Sequence, residues 1–388
     1  DYPYSELEDL YMRPWKASLK GLATYRPNSI LGSVLSVGDG ASAPAPASGS
    51  QQRQPQDVVL DSANPRLSIG ALPAPVLASL RWPGRPRMTD GNTAWSYMIE
   101  SPHGQFAIFV GQTENEVGRG VPFEVWVNGS EQPRGLGAVA KTLSMDMRAN
   151  DKAFLKLKLD VLAKTVGEES FDMPFPPSGE HKLMPGVVSA FAQVVRYRCE
   201  KLSALEGDTP AGPTPVLDAM FSRDEPKTGT DGTLSWTVDI SNPASGEEFV
   251  LGLKEITLPD GVTRPYSVWL SGHYPRALDG LTKLLSLDMR VLDPAWIGMK
   301  LRKLIDYPEP LGDFMARVPG SQKQQNWPST VAYIARLIMH RYAMLGILDE
   351  NGYPTRDMGI LEAPGATPRE GGVKVMQGSL CGECGNMT

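Results

Sequence analysis

The sequence repeats itself. Residues 133–162 lie on residues 275–304 without a gap, at a constant offset of 142 positions, and 14 of the 30 pairs are identical. Among them are Pro133/Pro275, Arg134/Arg276, Lys141/Lys283, Leu143/Leu285, Ser144/Ser286, Asp146/Asp288, Met147/Met289, Arg148/Arg290 and Asp151/Asp293. Chance supplies only a few such matches, and a repeat constrains the fold more than any other signal. The likeness continues outward with small shifts. Glu124-Val-Trp126 pairs with Ser267-Val-Trp269, Trp95 with Trp236, and Pro185-Gly-Val-Val188 with Pro328-Ser-Thr-Val331. Each unit covers roughly 125 residues, about 80–204 and 218–348, which is the size of a domain and too long for a solenoid repeat.

Within each unit the apolar spacing predicts strand, strand, strand, helix, helix, helix. Trp95–Ile99 and Gln105–Val110 alternate around Ser101-Pro-His-Gly104, as expected of a hairpin. Trp236–Ile240 and Glu248–Leu253 do the same around Asn242-Pro-Ala-Ser-Gly246, and Pro122–Val127 reads as a third strand. Leu136, Val139, Leu143 and Met147 then share a helical face, as do Leu278, Leu281, Leu285 and Met289. Asp151 and Asp293 stand where the next helix needs an N-cap. A last helix carries Val188, Phe191, Val195 and Leu202, or Val331, Ile334, Ile338 and Leu345. The expected fold class is α+β: two tandem repeated modules, each a small antiparallel sheet with covering helices, joined by flexible linkers.

The flanks read differently. Residues 36–66 include Ala-Ser-Ala-Pro-Ala-Pro-Ala-Ser-Gly-Ser and have little to bury, so a flexible tether is expected there. The organisation that follows is 1–35 as a helix plus a strand, 36–66 as tether, 67–204 as the first module, 205–217 as linker, 218–348 as the second module and 349–388 as a mobile tail. Residues 1–35 cannot build a core from one helix and one strand, and are expected to dock on protein outside the chain. The start at Asp1 and the end just after Cys384 both read as the interior of a longer chain.

Composition narrows the function classes. A net charge of −6 and a pI of about 5.4 argue against a whole-chain basic field for nucleic acid. Three cysteines are too few for a secreted disulfide scaffold, so a reducing, cytoplasmic setting is expected. No apolar run reaches the roughly 18–20 residues of a membrane span, so no membrane partner is expected.

Two stretches carry a family resemblance. Tyr11-Met-Arg-Pro-Trp15-Lys16-Ala-Ser-Leu-Lys20-Gly21-Leu-Ala-Thr-Tyr25-Arg26 resembles the last helix and strand of the ribonucleotide reductase catalytic barrel. Gly378-Ser-Leu-Cys381-Gly-Glu-Cys384-Gly385 resembles the first half of the cysteine-rich tail of the adenosylcobalamin-dependent members, although the second Cys pair usual in that tail does not follow. Leu80-Arg-Trp-Pro-Gly-Arg-Pro-Arg87 is similar to the opening of their accessory C-terminal domain, here followed by two copies of the module. The resemblance implies a C-terminal segment of an enzyme reducing ribonucleotides to deoxyribonucleotides for DNA synthesis and repair. It implies a missing upstream barrel that holds adenosylcobalamin, and a thioredoxin-like reductant as a further partner. This segment would be accessory and thiol-delivering. The alternative is a non-catalytic tandem interaction or regulatory module.

Cys381-x-x-Cys384 is the main chemical candidate, and two roles fit it. Two thiols at this spacing can supply half of a zinc knuckle, or act as a redox dithiol; the resemblance implies a shuttle that re-reduces the enzyme after turnover. Cys199 has Tyr342 as its counterpart and is expected to be packing. Gly135-Leu-Gly137-Ala-Val-Ala140 superficially fits a dinucleotide fingerprint, but its copy Ala277-Leu-Asp279-Gly-Leu-Thr282 loses the glycines. Arg134 and Arg276 either hold an anion at a helix start or pin the strand-to-helix corner by bonding carbonyls. Asp146/Arg148 and Asp288/Arg290 read as surface or inter-helix ion pairs, and the four shared tryptophans as buried core. His103, His181, His273 and His340 do not align between the copies, which argues against a duplicated histidine metal site.

Overall fold

The computed structural model describes residues 58–60, 67–69, 80, 84–86, 88–115, 118–205, 212, 214–257, 261–310 and 312–355. All of them fall in one compact unit, Arg53–Pro368 with Lys374–Thr388; the second unit, Asp1–Gln52 with Arg369–Val373, lies outside the described residues. The expected barrel-end helix and strand, most of the tether, and both Cys381 and Cys384 are likewise outside them.

The fold is mixed α+β. Two short strands, β1 (Val58–Leu60) and β2 (Leu67–Ile69), come first. A series then follows of β3 (Thr93–Ser101), β4 (Gly104–Glu114), β5 (Gly120–Asn128), α1 (Leu136–Met147), α2 (Lys152–Ala163), β6 (Phe171–Phe175), β7 (Glu180–Met184) and α3 (Val187–Lys201). After a single turn of helix, α4 (Pro215–Asp218), the same order recurs as β8 (Ser235–Asn242), β9 (Glu247–Thr257), β10 (Thr263–His273), α5 (Leu278–Arg290), α6 (Pro294–Leu304), β11 (Phe314–Arg317), β12 (Gln324–Trp327) and α7 (Thr330–Met344).

The strands β3-β4-β5 form an antiparallel sheet, and β8-β9-β10 form another. Period-two alternation sends Phe106, Ile108 and Val110 of β4, and Phe249, Leu251 and Leu253 of β9, into the interior. The second sheet is extended by the β1–β2 hairpin, with β2 running parallel to the far end of β9 at Leu67↔Ile256 and Ser68↔Thr257. Val58–Leu60 is therefore a strand inside the stretch expected to be a tether. Leu67–Ile69, expected in the first module, pairs with the second sheet.

Helix starts follow their caps. The Asp151 carboxylate accepts from Phe154 N–H at 2.8 Å, and Asp293 accepts from Ala295 N–H at 3.0 Å with Pro294 filling the first helical position. The hairpins β6–β7 and β11–β12 were not expected. Their second strands expose all but the last residue, Met184 or Trp327, so no apolar alternation marks them.

One continuous apolar core joins the two halves, where linker-separated modules were expected. Gly280 on α5 shows how closely the helices meet: a Cβ there would lie 2.8 Å from Val188, 3.3 Å from Val139 and 3.4 Å from Leu162. A second apolar cluster gathers Phe154, Trp296, Leu287 and Val291 around Val216 and Leu217 of α4, with Phe154 and Trp296 edge-on at 6.0 Å. The last residues of the expected 205–217 linker are thus core. Asp151 secures them, accepting from Val216 N–H and Leu217 N–H at 2.9 Å each. The tail expected to be mobile from residue 349 also begins as structure, for Asp349 accepts from the Asn351 and Tyr353 amides at 2.8 Å and Arg302 donates to Gly352 O at 2.5 Å.

Candidate functional site

The shared residues of the two aligned stretches converge on the junction between the halves. Ser144 of α1 accepts from Val125 N–H at 2.9 Å and donates back to Val125 O at 2.9 Å. Ser286 of α5 accepts from Val268 N–H at 2.9 Å and donates to Val268 O at 3.3 Å. Each serine pins its helix to the third strand of its own sheet, which fixes where the next turn of that helix projects.

That turn carries Asp146 or Asp288, and both are buried in the core. The expectation of surface or inter-helix pairs with Arg148 and Arg290 is corrected. Arg148 donates to Phe123 O at 3.2 Å and Arg290 to Arg223 O at 2.9 Å, while the two aspartates are bound by buried lysines. Lys158 Nζ donates to Asp146 at 2.8 Å and to Asp288 at 2.6 Å. Lys300 Nζ donates to Asp146 at 2.5 Å and to Thr142 O at 3.0 Å, and stands 3.9 Å from Asp288. Trp296 Nε1 donates to the same Asp288 oxygen at 2.7 Å. Two cations and two anions with no solvent contact thus form one cluster across both halves.

The electrostatics follow from this geometry. Burial raises Asp146 above the usual carboxylate range even with both lysines beside it. Burial also opposes the charge on Lys158, but its close bonds to both aspartates win and its pKa is raised. Burial wins at Lys300, which is 3.9 Å from its second aspartate, and takes it down to about 8. Neither lysine was singled out from sequence, yet a signal existed: Lys158 shares the apolar helical face of Phe154 and Leu162, and Lys300 that of Trp296 and Leu304. Buried, paired and closed to solvent, the cluster can position the halves but cannot meet a substrate.

An anion does sit at the first helix start, and it belongs to the protein. Glu309 accepts from Gly135 N–H at 2.6 Å, and Arg134 makes ion pairs with Glu309 at 3.6 Å and with Glu247. Arg276 pairs with Glu168 at 3.4 Å and lies over the Tyr274 ring at 4.7 Å. Neither arginine bonds the corner carbonyls as expected. Both reach across to the opposite half, around a cleft of about 330 Å³ also lined by His103 and His273. With the glutamate on the helix start and an antiparallel sheet in front of it, the fingerprint-like Gly135–Ala140 has no phosphate-binding geometry.

Cys199 is fully buried and burial raises its thiol to about 12, in keeping with packing; Tyr342 is buried too, and donates to Pro265 O at 3.0 Å. The tryptophans depart from expectation. Trp95 is 48% exposed and Trp126 37%, while Trp236 and Trp269 are partly buried. Each early tryptophan lies under an arginine of the last helix of its half: Arg198 is 4.1 Å over Trp95 and Arg341 is 5.6 Å from Trp236. Among the described residues, no group of three or more His, Cys, Asp or Glu side chains is placed to hold a metal ion. His181 meets Asp172 at 3.0 Å and His340 meets Glu350 at 2.7 Å, both near the surface. No described helix is long and apolar enough to cross a membrane.

A second cleft, of about 460 Å³, opens on the other side of α1, where Lys141 and Arg148 face Lys303 and Tyr307 of the second half beneath Trp126.

No family model, curated protein or solved structure matches this chain. Functional assignment therefore rests on the residues themselves.

Proposed function

We propose that this chain is an accessory, C-terminal region of an adenosylcobalamin-dependent ribonucleotide reductase, in which the described residues form a rigid non-catalytic body and Cys381-x-x-Cys384 carries the thiol chemistry. The observation that carries this reading is the occurrence in one chain of the Tyr11–Arg26 stretch and the Cys381/Cys384 pair. The body between them supports it, because its interior ionisable groups bind one another. Asp146, Lys158, Asp288 and Lys300 hold the halves in register, and Arg134 with Glu247 and Glu309 closes the edge. We also read the halves as duplicated copies of one module, since the 142-residue offset relates Asp146 to Asp288 and Lys158 to Lys300. On this reading adenosylcobalamin and the ribonucleotide belong to a barrel upstream, the setting is cytoplasmic, and a thioredoxin-like protein re-reduces the cysteines, with zinc as the other role for them.

The test starts from the coding sequence on either side of the chain. An adjoining reductase barrel supports the assignment, and an unrelated neighbour overturns it. In the intact enzyme, a Cys381→Ser/Cys384→Ser variant is expected to complete one turnover from the pre-reduced state and then stall with thioredoxin. Undiminished multiple turnover together with unchanged zinc content removes any role for the pair.

A second reading, a non-catalytic interaction module, is favoured by the exposure of Trp95 and Trp126. Large aromatic rings left in solvent suit a partner surface, and the same coding-sequence test separates the two.

A further inference from the structure

The cleft beneath Trp126 gathers positive charge that the fold does not use. Arg85 is spent on Glu124, with Nε at 2.6 Å from one carboxylate oxygen and Nη2 at 3.0 Å from the other. Arg148 is neutralised by no ion pair of its own among the described residues, and its Nε bond to Phe123 O leaves the rest of the guanidinium at the cleft. Lys141 and Lys303 line the same cleft from opposite halves, and neither forms an ion pair with a described residue. Burial and then the repulsion of Lys303 lower Lys141, with Asp306 acting the other way. Like charges brought together on low-dielectric walls focus a positive field, and the cost of crowding them is relieved when an anion sits between. This basic cleft stands on a chain whose net charge is −6, so it is a local arrangement and not a property of the whole surface.

The remaining lining adds shape. Trp126 packs one face flat against Phe109, with ring centroids 5.2 Å apart and planes 9° apart, and is 37% exposed at the cleft. Lys141 sits 5.5 Å over the Tyr307 ring, so the ammonium is held in place by an aromatic face and not by a carboxylate. Gln132 also lines the cleft, with its Oε1 buried away from the opening.

We infer that this cleft is a binding site for a small phosphate-bearing molecule with a flat ring: the phosphate between Lys141, Lys303 and Arg148, and the ring against Trp126. The site needs both halves, since Lys303 and Tyr307 come from the second and the other groups from the first. It stands apart from the reductase assignment, because every residue in it lies within this chain.

Isothermal titration calorimetry of the full 388-residue chain with inorganic pyrophosphate and with 1-naphthyl phosphate tests it. Both are expected to bind, the ring compound about tenfold more tightly, in line with a ring contact worth roughly 1–3 kcal/mol. Lys141→Gln/Lys303→Gln is expected to weaken both at least tenfold, and Trp126→Leu to abolish the difference between them while leaving pyrophosphate binding. Lys303→Gln alone, at an exposed position, guards against misfolding and is expected to weaken both in the same direction. Absence of binding, or affinities unchanged in the lysine variants, overturns the site; unchanged ring preference in Trp126→Leu overturns the placement of the ring.

Discussion

Lys158 donates to the carboxylate of Asp288 at 2.6 Å although 130 positions of chain separate them, and neither side chain touches solvent. The same ammonium binds Asp146 within its own half, so it is the common partner of both aspartates. Removing it leaves two buried carboxylates with Lys300 as their one remaining cation. Lys158→Met is therefore expected to cost about 3–5 kcal/mol of unfolding free energy, read from urea denaturation. Replacing all four members by apolar side chains of similar volume is expected to recover most of that loss, because the desolvation cost disappears with the charges. A single variant within about 1 kcal/mol of the wild type would contradict the lock.

The cluster also gives stability a pH dependence with a definite sign. Lys300 titrates near 8 in the folded chain, against 10.5 for an ordinary lysine. Between those values the unfolded chain holds a proton that the folded chain has released, so this group makes stability rise with pH. Below about 8 both states are protonated and its contribution is flat. The gap between wild type and Lys300→Met should therefore move in favour of the wild type by on the order of 1–3 kcal/mol between pH 8 and 10.5. Urea midpoints at pH 7.5, 9 and 10.5 measure it, and a constant gap would count against a depressed Lys300.

Cys199 is closed to solvent, and burial raises its thiol to about 12. The nucleophile in alkylation is the thiolate, so iodoacetamide at pH 8 should leave Cys199 unmodified in the native chain and label it after denaturation. Peptide mass spectrometry resolves it from Cys381 and Cys384. Native labelling at a rate near that of a free thiol would show that the last helix of the first half opens readily.

Gly252 on β9 lies under the indole of Trp269 on β10, its cross-strand partner. A Cβ there would fall 2.1 Å from a ring carbon, closer than any real contact. Gly252→Ala is thus expected to push the ring out, redden the tryptophan emission and destabilise the second sheet by roughly 1–3 kcal/mol. Unchanged fluorescence and melting temperature would mean that the ring has room to turn aside.

Much of the architecture was legible in local pattern. Alternation located β3, β4 and β5, period 3.6 located α1 and α5, and Asp151 and Asp293 cap the helices they were expected to cap. The hairpins β6–β7 and β11–β12 escaped because their outer strands face solvent and carry no apolar rhythm. Trp95 and Trp126 were expected in the core because large rings are usually buried; instead the sheet turns them outward, one beneath Arg198 and one against Phe109. Residues 215–217 looked like linker by composition, yet Asp151 takes the amides of Val216 and Leu217 and the apolar side chains fill the gap beside Trp296.

The sequence by itself determined the three strands and three helices of each half, the faces of the helices and the pairing of Asp146 with Asp288 as equivalent positions, because those depend on spacings of a few residues and on a constant offset. Only the tertiary structure decided that the halves share a core, that the two aspartates meet the same lysine, and that Lys141 and Lys303 confront each other across a cleft. Those are contacts between segments more than a hundred residues apart. Their free energy comes from excluding water between two faces, and no local pattern specifies which face will meet which.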